Sequence, residues 1–502
     1  MTSVILPSNR KPSPDKAPGL LGGKCPHRGL RVSYGLLCAA TLWLVGCMVG
    51  PKYTRPAAEV PATYKETGDW KTAQPSDDAA RGEWWKIYQD PQLDALESRI
   101  DVSNQNLKAA EAQFRIARDQ IRIARASLYP NVTGGGTATG NRLSKNKPYY
   151  TDGGMNYADY QIPVAGASYE LDLWGRIRHI VEQARSEAQA TAADLANVNL
   201  SLHAELATDY FEMRGLDAQK RLLDSTVTAY EQALTLTQQR HDGGIASELD
   251  VAQAQTQLET TRAQGQDVEV QRSAYEHAIA VLVGQPASTF SVAPLPLDAP
   301  PPAIPPGLPS DLLERRPDIA AAERRMQEAN AGIGIARAAY FPTITLTGSA
   351  GLESGSLGTL FQGPSFLWSL GPTAVETLFD AGRRHAVSDQ AKAEYDQSIA
   401  KYRETVLESF QEVEDNLAAL RILEAESKTQ DGAVAAANHT LALSNNRYKG
   451  GVSNYLEVIT AQSAALSDQR TAVDILTRRL SASVLLIKAI GGGWNTSRIP
   501  AV

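Results

Sequence analysis

The 502-residue sequence predicts a mainly α-helical protein with a small β segment, built from duplicated long-helix hairpins and four strands per chain. Three observations predict this fold. Two halves of the chain repeat the same motifs, long proline-free stretches have helical periodicity, and a short stretch of each half alternates apolar with small polar residues. The apolar content of 43% at ordinary charge density excludes wholesale disorder.

The first 46 residues have the pattern of an export signal. Two arginines precede an apolar stretch from Leu36 to Gly46, which is too short to span a membrane and has the length of a signal-peptide core. Together with Cys47, the end of this stretch resembles a bacterial lipoprotein box, in which cleavage precedes the cysteine and the thiol is acylated. Residues 47–91 are then a lipidated N-terminal segment. The alternative is an ordinary signal peptide followed by a chance cysteine.

An internal repeat divides the rest of the chain. Ala124–Pro130 matches Ala336–Pro342 at an offset of 212 residues, and Arg240–Ile245 matches Arg447–Val452 at an offset of 207. A linker with nine prolines, which exclude a helix, joins the two copies. The predicted boundaries are repeat 1 at 92–284, the linker at 285–309, repeat 2 at 310–491 and a C-terminal tail at 492–502.

Each repeat is predicted to begin with a heptad-patterned helix. Apolar residues recur at seven-residue intervals from Leu93 to Leu128 and from Leu312 to Tyr340, with alanine at many of the positions three residues later. This spacing over consecutive heptads favours a coiled-coil seam over an ordinary amphipathic bundle helix. Pro130 and Pro342 end the two helices.

A β-hairpin follows in each repeat, at 131–174 and 343–380. Thr343–Ser349 and Ser168–Leu173 alternate apolar with polar residues. Because successive side chains of a strand point to opposite faces, this alternation indicates strands with one apolar and one polar face.

Two long helices are predicted at 176–240 and 383–447, each 65 residues without an internal proline. Such a helix is about 98 Å long, which no globular core accommodates. Glycine pairs at 243–244 and 450–451 form turns, and each turn leads into a further helix of about 37 residues. The shorter helices would stack end to end beside each long one.

The four strands of one chain are too few to close a membrane barrel, since the smallest known barrels need about eight. An open sheet cannot face lipid, because its edge amides would lack hydrogen-bond partners. Either copies of the chain complete the strands in a homo-oligomer that joins a barrel to a helical tube, or the sheet lies outside the membrane.

Several motifs carry a resemblance to a known family: Cys47–Tyr53, Trp84-Trp85, Leu171–Arg176, Leu312–Ile319 and Ser409–Leu417. With these motifs, residues 47 to 492 resemble the TolC/OprM/NodT group of outer-membrane efflux lipoproteins. The resemblance implies a trimer, lipid-anchored in the bacterial outer membrane, with a 12-stranded barrel and a 12-helix periplasmic tunnel. It also implies docking through a periplasmic adaptor protein to an inner-membrane pump of the proton-driven kind. The function would be passive exit of drugs or other small molecules.

The resemblance places candidate working residues at the far ends of the helical hairpins. The turns there would form the periplasmic tip that meets the adaptor, because glycine allows positive φ and close approach of another backbone. The alternative is that the glycines simply make the turns. The candidate docking residues are Gly243, Gly244, Ile245, Gly450, Gly451 and Val452.

Residues beside the tips are candidates for the pore constriction: Asp250, Tyr448, Leu456, Glu457 and Thr460. In the family, carboxylates just after the tip narrow the closed pore. The acids at 250 and 457, each three residues after Ser247 or Asn454, equally resemble helix N-cap arrangements. Thr460 replaces the family's second acid, which puts a double acidic ring in doubt, and Leu456 would supply an apolar constriction. Tyr448 either hydrogen-bonds a neighbouring coiled coil, as in the family, or packs the tip.

Composition and motifs argue against other classes of protein. Without the first 46 residues, 43 basic and 55 acidic residues remain, a net charge of −12, which argues against a nucleic-acid binder. The seven histidines form no metal-binding pair and no nucleophile elbow occurs, so catalysis, metal and cofactor are not expected. Two alternatives remain: an exit duct for type I protein secretion, which shares the fold, and a coiled-coil envelope lipoprotein, which the strands disfavour.

Overall fold

The structure is a computed structural model that describes residues 48–57, 60–61, 63–67, 82–142, 144, 156–295, 297, 299–304 and 311–500. The predicted leader and the predicted lipidation site Cys47 lie outside these ranges. Within them, no helix combines the length and the apolar character that crossing a membrane requires.

The helices and strands of the two repeats follow the same order. Repeat 1 contains α1 (Pro91–Ser103), α2 (Gln105–Ala126), β1 (Asn131–Thr133), β2 (Thr137–Arg142), β3 (Asn156–Leu171), α3 (Arg176–Asp242) and α4 (Glu248–Leu282). Repeat 2 contains α5 (Leu312–Arg315), α6 (Pro317–Ala338), β4 (Thr343–Ser354), β5 (Phe366–Val375), α7 (Arg383–Lys449) and α8 (Tyr455–Ala489). The long helices α3 and α7 have 67 residues each, and α4 and α8 have 35 each.

The start of each repeat differs from the prediction, because two helices stand where the heptad pattern predicts one. The break falls at Asn104, whose Oδ1 accepts from the backbone N–H of Leu107 at 2.9 Å and so caps α2. In repeat 2 it falls at Arg316, which is extended (φ −98°, ψ 124°) as expected of a residue before a proline. The prediction of one helix was wrong because the apolar spacing continues across the break.

The strands form one antiparallel sheet, in which β3 pairs with β4 and β4 with β5. Both β1 and β2 pair with β3, so they form a single strand position that is interrupted at the glycines 134–136. The register places apolar side chains on one face: Leu346 lies between Tyr169 and Pro372, and Ala350 lies opposite Trp368. The alternation predicted from the sequence is therefore present, and Trp368 is 70% exposed.

The shorter helices lie end to end beside the long ones. Helix α3 packs against α2, α4, α6 and α8, and α7 packs against α6 and α8. The main hydrophobic core forms where the shorter helices meet, and it includes the fully buried side chains of Leu93, Ile100, Ile279, Ile319 and Met326. Trp84 of the N-terminal segment is also buried there. The prediction of a mainly helical fold with duplicated long-helix hairpins is confirmed.

Candidate functional site at the helical tips

Each long helix ends in a turn of two glycines. The first glycine, Gly243 or Gly450, has an ordinary φ of −81° or −74°. The second, Gly244 or Gly451, is left-handed, with a φ of 76° or 73°. The N–H of the residue after the pair donates to the carbonyl of Arg240 or Arg447 near the helix end, at 2.8 Å in repeat 1 and 2.9 Å in repeat 2. Glycine at the second position is therefore required by the turn itself.

Four exposed apolar side chains surround the two turns. Ile245 and Val452, which occupy equivalent positions of the repeat, are 70% and 71% exposed. Leu249 and Leu456 are also equivalent, and they are 64% and 53% exposed. Leu249 was not among the residues predicted from the sequence, although its 207-residue offset from Leu456 was a signal for it. Each tip thus presents an isoleucine or valine together with a leucine to its surroundings.

Asp250 takes part in a complete capping box at the start of α4. Its Oδ2 accepts from the backbone N–H of Ser247 at 3.0 Å and from the Ser247 hydroxyl at 2.9 Å. In return, the Ser247 Oγ accepts from the backbone N–H of Asp250 at 3.2 Å. The carboxylate is half-buried, and its partners are those of a helix cap.

Glu457, the equivalent acid of repeat 2, has different partners. Asn454 caps α8 by accepting from the backbone N–H of Glu457 at 3.3 Å. The Glu457 carboxylate instead lies 3.1 Å from Nε of Arg447, the third-last residue of α7. This ion pair ties the end of α7 to the start of α8. Thr460, one turn on, donates its hydroxyl to the carbonyl of Leu456 at 2.9 Å.

Tyr448 connects the two hairpins of the chain. Its ring is 6% exposed and its hydroxyl donates to Oγ1 of Thr237 on α3 at 3.3 Å. Arg240 of α3 lies over the same ring, 4.5 Å from its centroid, and donates to the Tyr448 carbonyl at 2.6 Å. The Tyr455 ring lies 5.2 Å away. Both predicted alternatives therefore describe Tyr448, which packs the tip and bonds to the other hairpin.

The motif at 171–176 joins the sheet to α3. The Asp172 carboxylate accepts from the backbone N–H groups of Ile177 and Arg178, each at 3.0 Å, and so caps the long helix. Trp174 donates its indole N–H to the carbonyl of Pro342 at 2.9 Å, which links the two repeats at the base of the sheet. The backbone N–H of Val49 donates to the Trp174 carbonyl at 3.0 Å, so the N-terminal segment starts there too.

The motif at 312–319 serves the joint between shorter helices. Arg316 is buried and donates to the carboxylates of Asp318 and Glu412, each at 2.6 Å, and to the carbonyl of Ala489 at 2.9 Å. Its guanidinium therefore fastens the start of α6 to α7 and to the end of α8. Nothing in the motif alone indicated the partners on α7 and α8, which lie 96 and 173 residues away.

The comparisons with known proteins decide the family. The family described as outer membrane efflux protein matches residues 96–285 and 308–492 of the chain. The chain belongs to the outer membrane efflux protein family. The toluene efflux pump outer membrane protein TtgC of Pseudomonas putida is 34% identical over 460 residues, which are 91% of this chain and 95% of that protein. The outer membrane protein OprJ of Pseudomonas aeruginosa is 34% identical over 466 residues, covering 92% and 96%.

A solved structure agrees with these relatives. The outer-membrane channel OprN superposes with a TM-score of 0.83 at 30% identity, covering 89% of this chain and all of that one. The predicted resemblance, fold and outer-membrane location are confirmed. The chain is the outer-membrane component of an efflux system, and its long helices form the periplasmic part. Among the described residues, no cluster of three histidine, cysteine or acidic side chains is arranged to hold a metal ion.

Proposed function

We propose that three copies of this chain form one continuous conduit, with a 12-stranded barrel in the outer membrane and a 12-helix tunnel in the periplasm. The observation that carries the proposal is the open sheet. Within the described part of the chain, β5 borders the sheet on one side and β1 with β2 on the other, and their outer edges have no partner strand. Such edges are costly in lipid, and the sheets of neighbouring copies would complete them.

The exposed apolar face of the sheet supports a membrane location for it. Phe366, Trp368 and Leu370 alternate along β5 and are all exposed in the single chain. Thr345, Thr347 and Ser349 lie on the other face of the neighbouring strand β4. One face suits lipid and the other suits a hydrated lumen.

The assembly is tested with the purified full-length protein in detergent. Native mass measurement should give a trimer, and reconstitution into a planar bilayer should give ion conductance. A monomer that inserts without conductance would overturn the conduit and favour a scaffold lipoprotein.

We assign the tips to docking of a periplasmic adaptor, which connects the duct to an inner-membrane pump. The support is the exposed apolar pair at each turn, Ile245 with Leu249 and Val452 with Leu456. The double variant Ile245→Asp, Val452→Asp should lose adaptor binding and drug resistance while the trimer persists. Ala436→Asp, which adds the same charge on an exposed part of α7, should retain both. Equal adaptor binding by the two variants would remove the docking role.

A further prediction concerns backbone approach at the turns. Replacing Gly244 or Gly451 by a bulky residue should abolish efflux without loss of the trimer, because the left-handed turn and the open surface above it are lost together. Normal drug resistance in such a variant would contradict close approach of the adaptor backbone.

Asp250, Glu457 and Leu456 we assign to the constriction of the closed end. Their position directly after the tips supports this role, as does the ion pair between Glu457 and Arg447 that holds one turn in shape. Opening the tip would then act on residues that also cap the helices.

The cargo we propose is small apolar molecules and drugs, by analogy with TtgC, whose name assigns it to toluene efflux. A strain that lacks the gene should grow poorly in medium containing toluene, and the wild-type gene should restore growth. The N-terminal lipid is proposed for Cys47. Met48, the next residue, lies against Gly175 at the base of the sheet, which supports an anchor near the membrane.

A further inference from the structure

We propose that a cavity between the two hairpins, beside the tip, binds a small flat aromatic molecule that carries one hydrogen-bond donor. The cavity has a volume of about 470 Å³ and lies between α3, α7 and α8. The site itself stands independently of the proposed function, whereas its effect on the channel rests on that function.

The polar anchor of this cavity is Gln462 of α8. Its side chain is 5% exposed and lines the cavity. The buried carbonyl oxygen Oε1 has no hydrogen-bond partner among the residues that the structure describes. A buried acceptor without a donor is unfavourable, and proteins rarely leave one. An N–H or O–H group of a ligand would satisfy it.

Three tyrosines make the cavity aromatic. Tyr230 of α3, Tyr448 of α7 and Tyr455 of α8 are all buried and all line it. The rings of Tyr448 and Tyr455 are tilted by 57° to each other, so they present both a face and an edge. Burial raises the pKa of Tyr455 to about 12, so its hydroxyl stays neutral at ordinary pH. Aromatic walls with a few polar groups are typical of sites for flat aromatic ligands.

The cavity is a feature of repeat 2 and not a by-product of the duplication. The residues of repeat 1 that correspond to Tyr448 and Tyr455 are His241 and Glu248, at the 207-residue offset. Gln255, which corresponds to Gln462, is exposed. Repeat 1 thus offers matched control positions in the same protein.

A ligand in this cavity would bridge the two hairpins. Tyr230 belongs to the first hairpin and Gln462 to the second. The bond from the Tyr448 hydroxyl to Thr237 already joins them at the same place. Because the ligand contacts both sides, it favours the arrangement in which the hairpins are close together, and it would hold the tip in that arrangement.

The binding experiment uses 1-naphthol, which has one donor, and 1-methoxynaphthalene, which has none. Equilibrium dialysis against the purified full-length protein should show saturable binding of 1-naphthol at one site per chain, at least tenfold tighter than that of the methoxy compound. Gln462→Met keeps the side-chain length and removes the acceptor, so it should weaken 1-naphthol binding about tenfold. Gln255→Met should leave binding unchanged.

Equal binding by the Gln462→Met and Gln255→Met proteins, or non-saturable uptake that detergent alone reproduces, would overturn the site. If Gln462→Met does not fold, Ala233→Phe supplies the test, since Ala233 lines the cavity from α3 and the larger ring fills it. That variant should lose saturable binding, and retained binding would overturn the site.

The effect on the channel is measured separately in planar bilayers. 1-Naphthol should lower the conductance of the wild-type channel and leave that of Gln462→Met unaffected. Saturable binding without a change in conductance would overturn the bridging effect alone. Absence of any conductance in the untreated protein would instead count against the proposed conduit.

Discussion

Asn104 and Arg316 occupy equivalent positions in the two halves of the chain, 212 residues apart, and form the same joint. Asn104 donates its side-chain amide to the carbonyl of Leu282 at 2.8 Å. Arg316 donates to the carbonyl of Ala489 at 2.9 Å. Leu282 and Ala489 are the last residues of α4 and α8. Two different residue types therefore fasten the end of each hairpin to the helix that stacks on it.

The Arg316 joint predicts a large effect of substitution. Arg316→Ala should lower the free energy of unfolding by about 2–4 kcal/mol, because it removes a buried guanidinium and leaves its partners without a donor. Thermal unfolding of the purified protein measures this effect. Arg315→Ala is the matched control, since Arg315 pairs in a more exposed setting with Asp311 at 3.2 Å and should cost less than about 1 kcal/mol. Similar losses in both variants would contradict a special role for Arg316.

Two glycines at the same joints should tolerate no side chain. A Cβ on Gly284 or Gly491 would lie less than 3.0 Å from the carbonyl oxygen of Ser103 or Arg315, and both glycines have a positive φ. Gly284→Ala and Gly491→Ala should each destabilise the protein by about 2–4 kcal/mol. Gly432→Ala, in open space on α7, should stabilise it by about 1 kcal/mol. Unfolding temperatures that are equal for all three would refute the close packing.

Capping and gating by Asp250 can be separated. Asp250→Asn keeps an oxygen acceptor for Ser247 and removes the charge, so it should raise the basal conductance if the charge narrows the pore, with little loss of stability. Ser247→Ala should lower stability by about 1 kcal/mol and leave conductance unchanged. Asp250→Ala or Glu457→Ala should also raise conductance. Unchanged conductance in well-folded acid variants would favour capping alone.

A buried acid–base pair makes stability depend on pH. The Nδ1 atom of His203 lies 2.6 Å from the carboxylate of Glu97, which is fully buried, and Trp85 stacks on the imidazole ring at 4.4 Å. Burial raises the pKa of Glu97 to about 7. Burial lowers the pKa of His203, but the hydrogen bond and charge of Glu97 and the charge of Asp101 outweigh it, so the net pKa is raised.

Both raised pKa values mean that the folded protein binds protons more tightly than the unfolded chain. The associated stability is present below the unfolded values and is lost as the pH rises through the folded ones. The free energy of unfolding should therefore fall from pH 4.5 to 7 for Glu97 and above pH 6.5 for His203, by about 2 kcal/mol in all. Urea unfolding across this range measures it. Glu97→Gln should flatten the profile and Glu111→Gln, at an exposed site, should not. A slope unchanged in Glu97→Gln would exclude the pair as its source.

The sequence predicted those features that depend on local pattern. Absence of proline and the repeat gave the long helices, alternation gave the strands, and the Ser247-x-x-Asp250 spacing gave the capping box. The break at Asn104 was missed, because buried Ile100 and Leu107 keep the heptad spacing on both sides of it. The cavity beside Gln462 was missed because three helices far apart in sequence form it.

The equal helix lengths of the two hairpins constrain how the protein changes in size. Each hairpin has its arms fixed at both ends, by the glycine turn and by the Asn104 or Arg316 joint. One additional heptad in α3 alone would leave α4 short by about 10 Å, and the tips of the two halves would stand at different levels. The span of periplasm that the protein reaches is therefore adjustable only in matched steps, through insertions of whole heptads in all four arms together.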